Sequence, residues 1–398
     1  MSTDFAGWYR RRRRRYALET RRKARSVTID HVGRTLAAVA LAISVGTLSA
    51  CASDAGRRAA SAPSGSAAAG AAGCGGKNEL KAEGSTAQQN AIELFNQAWG
   101  RTCPGKAVSY QPTGSGAGRE QFIAGHVDFA GTDSPLVADQ LGPAAKRCDG
   151  NPAWDLPLVF GPVALVYNLP GVRSLVVNSD ALAKLFSGAI TTWNDPILAA
   201  LNPAVTMPDT KVVPIYRADS SGTTDNVQKY LTAAAPQSWA RGVGTEFRGG
   251  VGEGAAKSPG VVQAVRATPG AIGYVEKGFA DQAGLPYAAI DTARGVVVLN
   301  ADTARNAIRA TGFVADGNDL VLDLNPMYTA RRPDTYPLVL ASYEIVCSKG
   351  YDPDTSAAVR SFLIEAANDG QNGLDSAGYV RLPDKVKERL VTAINAIQ

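Results

Sequence analysis

Two histidines in 398 residues, His31 and His126, leave little for chemistry that depends on imidazole. A zinc centre or a Ser-His-Asp triad has almost nothing to be built on, and His126 reads as a structural residue. Nucleotide fingerprints are missing too. No loop carries the lysine of G-x-x-x-x-G-K-[ST], and no G-x-G-x-x-G follows a strand with an acidic residue about twenty positions on. The apolar run at 35–50, TLAAVALAISVGTLSA, has sixteen residues. A membrane-spanning helix needs roughly 20. A basic bias is also lacking where it would matter. Residues 1–50 hold eleven Lys and Arg against three Asp and Glu, while 51–398 hold thirty against thirty-three. The net charge of +5 therefore sits in the first segment, and the remainder has no attraction for a polyanion such as nucleic acid.

That first segment reads as a targeting sequence. Arginines cluster at 10–15 and 21–25, the apolar run follows, and it closes on Leu48-Ser49-Ala50-Cys51. This ending resembles the bacterial lipoprotein signature, in which the cysteine becomes the lipid-modified N-terminus. We therefore read 1–50 as a signal segment and Cys51 as the lipidation site. Residues 51–77, rich in Ala, Ser and Gly, read as a flexible tether from the membrane to a folded body. Four further cysteines remain, Cys74, Cys103, Cys148 and Cys347. Their spacing matches no compact metal site. An even number in an exported chain implies two disulfides, and three pairings are open.

What the body does contain is hydroxyl-rich loops opening helices. In YRADSSGTTDNVQKYL (216–231), Ser220, Ser221, Thr223 and Thr224 follow Arg217 and Asp219, and Val227, Tyr230 and Leu231 recur at helical spacing. A helix cap needs a single side-chain oxygen. The surplus suits an anion at a helix N-terminus, where free N–H groups and the helix dipole converge. The pattern recurs in GSTAQQNAIELFNQAW (84–99) and TGSGAGREQFI (113–123), where glycines let the backbone approach a ligand closely. Each loop follows a plausible strand, ELKAEG, AVSYQP or VVPIYR. Repeated strand–loop–helix units hold ligands at the carboxyl ends of strands in α/β domains. The loops fit a small anion bound without metal or cofactor.

Four segments in order carry a resemblance. YQPTGSGAGREQFIAGHVDFAGTDSPL (110–136), SGAITTWNDPILAALNP (187–203), YRADSSGTTDNVQKYL (216–231) and PGAIGYVEKGFA (269–280) resemble the phosphate-binding protein of the bacterial phosphate ABC importer. The resemblance runs from about residue 78 to the C-terminus. The tether, the cysteines and GGVGEGA (249–255) look most like the actinobacterial lipoprotein members. It implies an α/β, two-lobed periplasmic-binding-protein fold (type II) with two crossing hinge strands, closing on one phosphate. The implied ligand set is Thr86, the backbone N–H of Ala87, Ser115, Asp133, Arg217, Ser221, Gly222 and Thr223, with Asp219 orienting Arg217. Asp133 would choose the anion. A buried carboxylate facing an anion leaves an acceptor unpaired unless the ligand donates, at a cost of about 1–3 kcal/mol. Phosphate near neutral pH keeps a proton to donate, and sulfate has none. Two positions depart from the family pattern: Glu83 stands where a small residue is usual, and Ala87 where an aromatic is common.

The resemblance places lobe one at 78–163 and 337–398, and lobe two at 164–336. PLVFGPVALVYN and YPLVLASYEIV, rich in β-branched and aromatic residues, would be the crossing strands. The expected function is that of an extracytoplasmic receptor, monomeric and lipid-anchored, handing inorganic phosphate to permease and ATPase subunits. The alternatives are a receptor for a related oxyanion, or a phosphate sensor that does not feed transport. A phosphate-ester hydrolase would need a nucleophile with a base, or metals, for which the chain is poorly equipped. The expected disulfides are Cys103–Cys148 within lobe one and Cys74–Cys347 tying the first strand to the returning one.

Overall fold

Strand and helix segments alternate along the chain, as the loops imply. The computed structural model describes residues 73–292, 294–330 and 332–398, so the signal segment and Cys51 lie outside the described residues. Eight strands form one twisted sheet. The first four are β1 (Glu79–Gly84), β2 (Ala107–Gln111), β3 (Phe129–Thr132) and β4 (Ala153–Tyr167). The others are β5 (Val213–Arg217), β6 (Glu253–Ala255), β7 (Ala271–Glu276) and β8 (Val339–Cys347). Their spatial order is β2-β1-β3-β8-β4-β7-β5-β6. The pairs β1–β2, β1–β3, β5–β6 and β5–β7 are parallel, while the central neighbours of β8 and β4 are antiparallel.

The centre of the sheet explains its shape. β4 is fifteen residues long, about three times an ordinary strand. Its first part pairs with β8, and Val163–Tyr167 pair with β7. The chain thus leaves the first half of the sheet along β4 and returns along β8. Both segments are near-continuous apolar runs with no alternation, as befits strands covered on both faces. β1, nearer the edge, alternates: Leu80 and Ala82 point inward, Lys81 and Glu83 outward. Glu83 is half-exposed on that outer face and makes no ion pair among the described residues. Burial pushes up the Tyr110 hydroxyl, which donates to Ser85 O in the loop that follows, and the Glu83 charge adds to that rise.

Helices pack on these strands by the spacing the sequence carries. In α1 (Gln89–Thr102) the buried residues Ala91, Ile92, Phe95, Ala98 and Trp99 make one stripe. Trp99 lies edge-on to Phe362, and its indole N–H donates to Ser361 Oγ at 2.9 Å, both on the helix Pro353–Ala367. Truncating Trp99 to alanine would cost about 3–5 kcal/mol. Further helices open the anion loops: α2 (Ser115–Ile123) after β2, α3 (Ala138–Arg147) after β3, α4 (Gly222–Ala234) after β5 and α5 (Lys257–Ala267) after β6. No helix among the described residues is long and apolar enough to cross a membrane.

The disulfides differ from the expected Cys103–Cys148 and Cys74–Cys347. The structure pairs Cys74 with Cys103 and Cys148 with Cys347, with Cα separations of 5.4 and 5.3 Å. The reason is strand order. β3 lies between β1 and β8, so the returning strand never reaches the first one. Instead α1 runs back antiparallel to β1, and Cys103, which caps its end, arrives beside Cys74. Cys148 ends α3 five residues before Ala153, which lies opposite Cys347 across β4 and β8. The end of the stretch read as tether is fixed to the body. Lys106 Nζ donates to the carbonyls of Gly75, Gly76 and Lys77.

Candidate functional site

The hydroxyl-rich loops meet around one buried carboxylate. Asp133 follows β3 and is 2% exposed. Its Oδ1 accepts from Ser85 Oγ at 2.6 Å and from Ser342 Oγ at 2.7 Å. Its Oδ2 has only long approaches, from Ser115 Oγ at 3.5 Å and Thr223 Oγ1 at 3.4 Å. One oxygen is thus saturated, and the other keeps acceptor capacity toward the gap between the loops. Burial pushes the Asp133 carboxyl up, opposed by the Ser85 and Ser342 hydrogen bonds and by the Arg217 charge.

Arg217 ends β5 and is 3% exposed. Asp219 holds it from the side: Arg217 Nε donates to Asp219 Oδ1 at 2.8 Å, and Nη2 donates to Oδ2. Burial would raise the Asp219 carboxyl, but the Arg217 hydrogen bonds and charge outweigh it and hold it below the usual range. A fork–fork pair of this kind fixes the guanidinium plane. Arg217 Nη1 faces Ser258 Oγ at 3.5 Å, and Ser258 Oγ meets Thr86 Oγ1 at 2.8 Å. Thr86, Ser258 and Arg217 therefore form one row across the two halves of the sheet.

At the opening of α4, Ser221 is the N-cap. Its Oγ accepts from Thr224 N at 3.3 Å and its own N–H donates to Thr245 O. The hydroxyl proton is left for another acceptor. Gly222 and Thr223, in the first turn, have no intrahelical acceptor for their N–H groups. Gly222 must be glycine on steric grounds: a Cβ there would fall 2.6 Å from Asp133 Cβ and 2.7 Å from Ser115 Oγ. The two halves also touch directly. Gly116 N–H donates to Ser220 O at 3.0 Å, and Asn226 Nδ2 donates to Asp133 O at 2.8 Å.

Thr86, Ser115, Asp133, Arg217, Ser221, Gly222 and Thr223 are thus brought together, with Asp219 behind Arg217. Ala87 stands somewhat apart. Its N–H donates to Ser85 Oγ at 3.1 Å, which is the hydroxyl that donates to Asp133. Sequence reasoning did not single out Ser85, Ser258, Asn226 or Ser342. Ser342 left a signal, a serine inside the apolar run of β8, placed where a register shift turns the strand. Ser258 left none, because it reaches the site from a helix forty residues beyond Arg217. No group of three or more His, Cys, Asp or Glu residues able to hold a metal occurs among the described residues.

A loop cradle at a sheet's carboxyl edge, shared by two halves joined through two crossing strands, defines a solute-binding protein of the periplasmic type. A family profile described as "PBP superfamily domain" matches residues 59–369. The phosphate-binding protein PstS3 of Mycobacterium bovis (strain BCG / Pasteur 1173P2) is 47% identical over 326 residues, 81% of this chain and 88% of that one. Phosphate-binding protein PstS 3 of Mycobacterium leprae is 44% identical over 363 residues, 91% of this chain and 98% of that one. The chain belongs to this PstS family of phosphate-binding proteins. In fold it is similar to a high-affinity periplasmic phosphate-binding protein solved with phosphate bound. That match has a TM-score of 0.64 at 23% identity, covering 79% of this chain and 93% of the other.

Proposed function

We propose that the protein captures inorganic phosphate between two lobes and delivers it to an ABC importer, as a binding protein and not an enzyme. One observation carries the reading. A buried carboxylate, Asp133, shares its cradle with a buried guanidinium and several hydroxyl donors, and one of its oxygens is left short of donors. An anion that both accepts from Arg217, Ser115, Ser221, Thr223 and Thr86 and donates to Asp133 satisfies every group. Protonated phosphate does so, and sulfate does not. The N–H groups of Gly222 and Ala87 complete the ligand set, the latter shared with Ser85.

Lobe one comprises 78–163 and 337–398, lobe two 164–336, and β4 and β8 form the hinge. Closure brings the α4 N-terminus onto Asp133, and the closed form is what the permease and ATPase subunits recognise. Residues 1–50 direct export, and Cys51 is lipidated, holding a monomeric receptor at the outer face of the membrane. The reading is supported by membership in the PstS family and by the composition of the cradle. Calorimetric titration with phosphate, sulfate and arsenate tests it. Phosphate should bind at least about a hundredfold tighter than sulfate. Comparable affinities would transfer the protein to a broader oxyanion receptor, and turnover of phosphate esters would make it an enzyme.

A further inference from the structure

Glu344, on β8, is fully buried, and neither carboxyl oxygen has a hydrogen-bond partner among the described residues. The site as described makes no use of it. Its place follows from register. Glu344 stands opposite Gly131 of β3 in an antiparallel pair, so both side-chain directions point to one face of the sheet. A Cβ at Gly131 would fall 1.8 Å from Gln88 Nε2 and 2.6 Å from the Tyr110 hydroxyl. Glycine there leaves the space to Gln88 and Tyr110, which lie beside the Glu344 carboxyl.

The hydrogen bonds around Gln88 have fixed directions. Tyr110 donates to Ser85 O at 2.7 Å, so toward Gln88 Nε2, at 3.1 Å, it accepts. That leaves Gln88 Oε1 buried without a donor. Three acceptor oxygens, one from Gln88 and two from Glu344, are therefore buried with no donor, and each unpaired group is destabilising. A single proton on Glu344 removes the charge and offers a donor to the Gln88 side chain beside it. The surroundings favour that form. Tyr110 on β2, Gln88 ahead of α1 and Leu156 on β4 are uncharged, and Asp133 beyond β3 would repel a second carboxylate. Burial pushes the Glu344 carboxyl well above the usual range and the Asp133 charge adds to it, against hydrogen bonding from the Gln88 side chain, which favours the charged form.

We propose that Glu344 is held as a neutral carboxylic acid that positions Asp133 through Gln88, Tyr110 and Ser85. The relay runs from the Glu344 O–H to Gln88 Oε1, from Gln88 Nε2 to Tyr110, from Tyr110 to the Ser85 carbonyl, and from Ser85 Oγ to Asp133 Oδ1. Glu344 touches no ligand; it sets the turn that aims the anion-selecting carboxylate. Its role in selection rests on the phosphate reading, and its protonation does not. Infrared difference spectroscopy, parent minus Glu344→Gln at neutral pH, should show the carbonyl stretch of a protonated acid. Gln88→Leu should shift that band by removing its acceptor. Glu344→Gln, isosteric and uncharged, should bind phosphate within about threefold of the parent and lose the weakening the parent shows at alkaline pH as Glu344 ionises. Carboxylate bands in place of the acid band, no shift in Gln88→Leu, or a more than tenfold loss of affinity in Glu344→Gln would overturn the proposal. If Glu344→Gln does not fold, the difference spectrum of parent minus Gln88→Leu, in which a shifted acid carbonyl band should appear as a positive and negative pair, decides alone. A parent that ignores phosphate would sink the receptor reading and leave the infrared result to judge Glu344.

Discussion

Replacing Asp133 with asparagine separates charge from shape at the point where the anion is chosen. Asparagine keeps the size of the side chain, and its Oδ1 can still accept from Ser85 and Ser342, which lie at 2.6 and 2.7 Å from Asp133 Oδ1. Its Nδ2 then takes the place of Oδ2, so an acceptor facing the gap becomes a donor. For sulfate this removes an unpaired acceptor and a like-charge contact and adds a hydrogen bond, a gain of about 2–3 kcal/mol. For phosphate it removes the acceptor of the ligand's proton while adding a donor, a net change of about 1 kcal/mol or less. With 1.4 kcal/mol per factor of ten, the phosphate-to-sulfate affinity ratio should fall by about two orders of magnitude. Most of that fall comes from tighter sulfate binding. Calorimetric titration of both anions, parent against Asp133→Asn, reads the ratio directly. A second readout is stability without ligand. The Asp133 carboxyl is raised in the folded state by burial, so folding is penalised as pH rises through the ordinary carboxylate range toward the raised value. Asp133→Asn should therefore melt above the parent at neutral pH, with the difference shrinking toward pH about 4. An unchanged affinity ratio would refute the assignment of Asp133 as the acceptor of the phosphate proton.

Arg217→Ala should weaken phosphate by about 2–5 kcal/mol, since truncating one side of a buried charged pair leaves the other unpaired; a loss below tenfold in titration would place Arg217 outside the ligand contacts. Ser258→Ala, which removes the link between Thr86 and Arg217, should cost about 1 kcal/mol, or fivefold in affinity, and an unchanged Kd would make that row incidental. Peptide mapping without reduction should recover Cys74–Cys103 and Cys148–Cys347. The loops close over 29 and 199 residues. The chain-entropy relation assigns them about 3.5 and 5 kcal/mol, so losing the second bridge should lower the melting temperature more. Glu344→Gln should gain stability over the parent as pH rises from about 4 toward 7, because the unfolded carboxyl ionises there and the folded one does not. Denaturant titration at both pH values measures it, and a constant difference would mean that Glu344 ionises normally in the fold.

The strands and helices that carry the site were legible because their signals are local. Val227, Tyr230 and Leu231 mark the buried face of α4 by spacing alone, and ELKAEG, AVSYQP and VVPIYR are β1, β2 and β5. The excess of hydroxyls over capping needs at 220–224 pointed to an anion for the same reason: caps and dipoles act within one turn. The family followed from four ordered segments, which together are far more specific than any loop.

Other features depend on which strands become neighbours, and no short stretch of sequence records that. The cysteine pairing followed from β3 lying between β1 and β8, a fact of sheet order that overturned the expected pairing in which the returning strand lay beside the first. Ser342, more than 200 residues from Asp133, reaches it only because β8 lies beside β3 and shifts register at that point. Ser258 joins Thr86 across 172 positions for a similar reason. Glu344 reads as one polar residue in an apolar strand, and its meaning comes from Gly131 opposite and Gln88 above. The sequence by itself determined the local elements, the anion-seeking turns and the family. The partners of Asp133, the crosslinks and the buried acid were decided by tertiary structure, because hydrogen bonds, disulfides and desolvation act between atoms a few ångströms apart in space, however far apart they are along the chain.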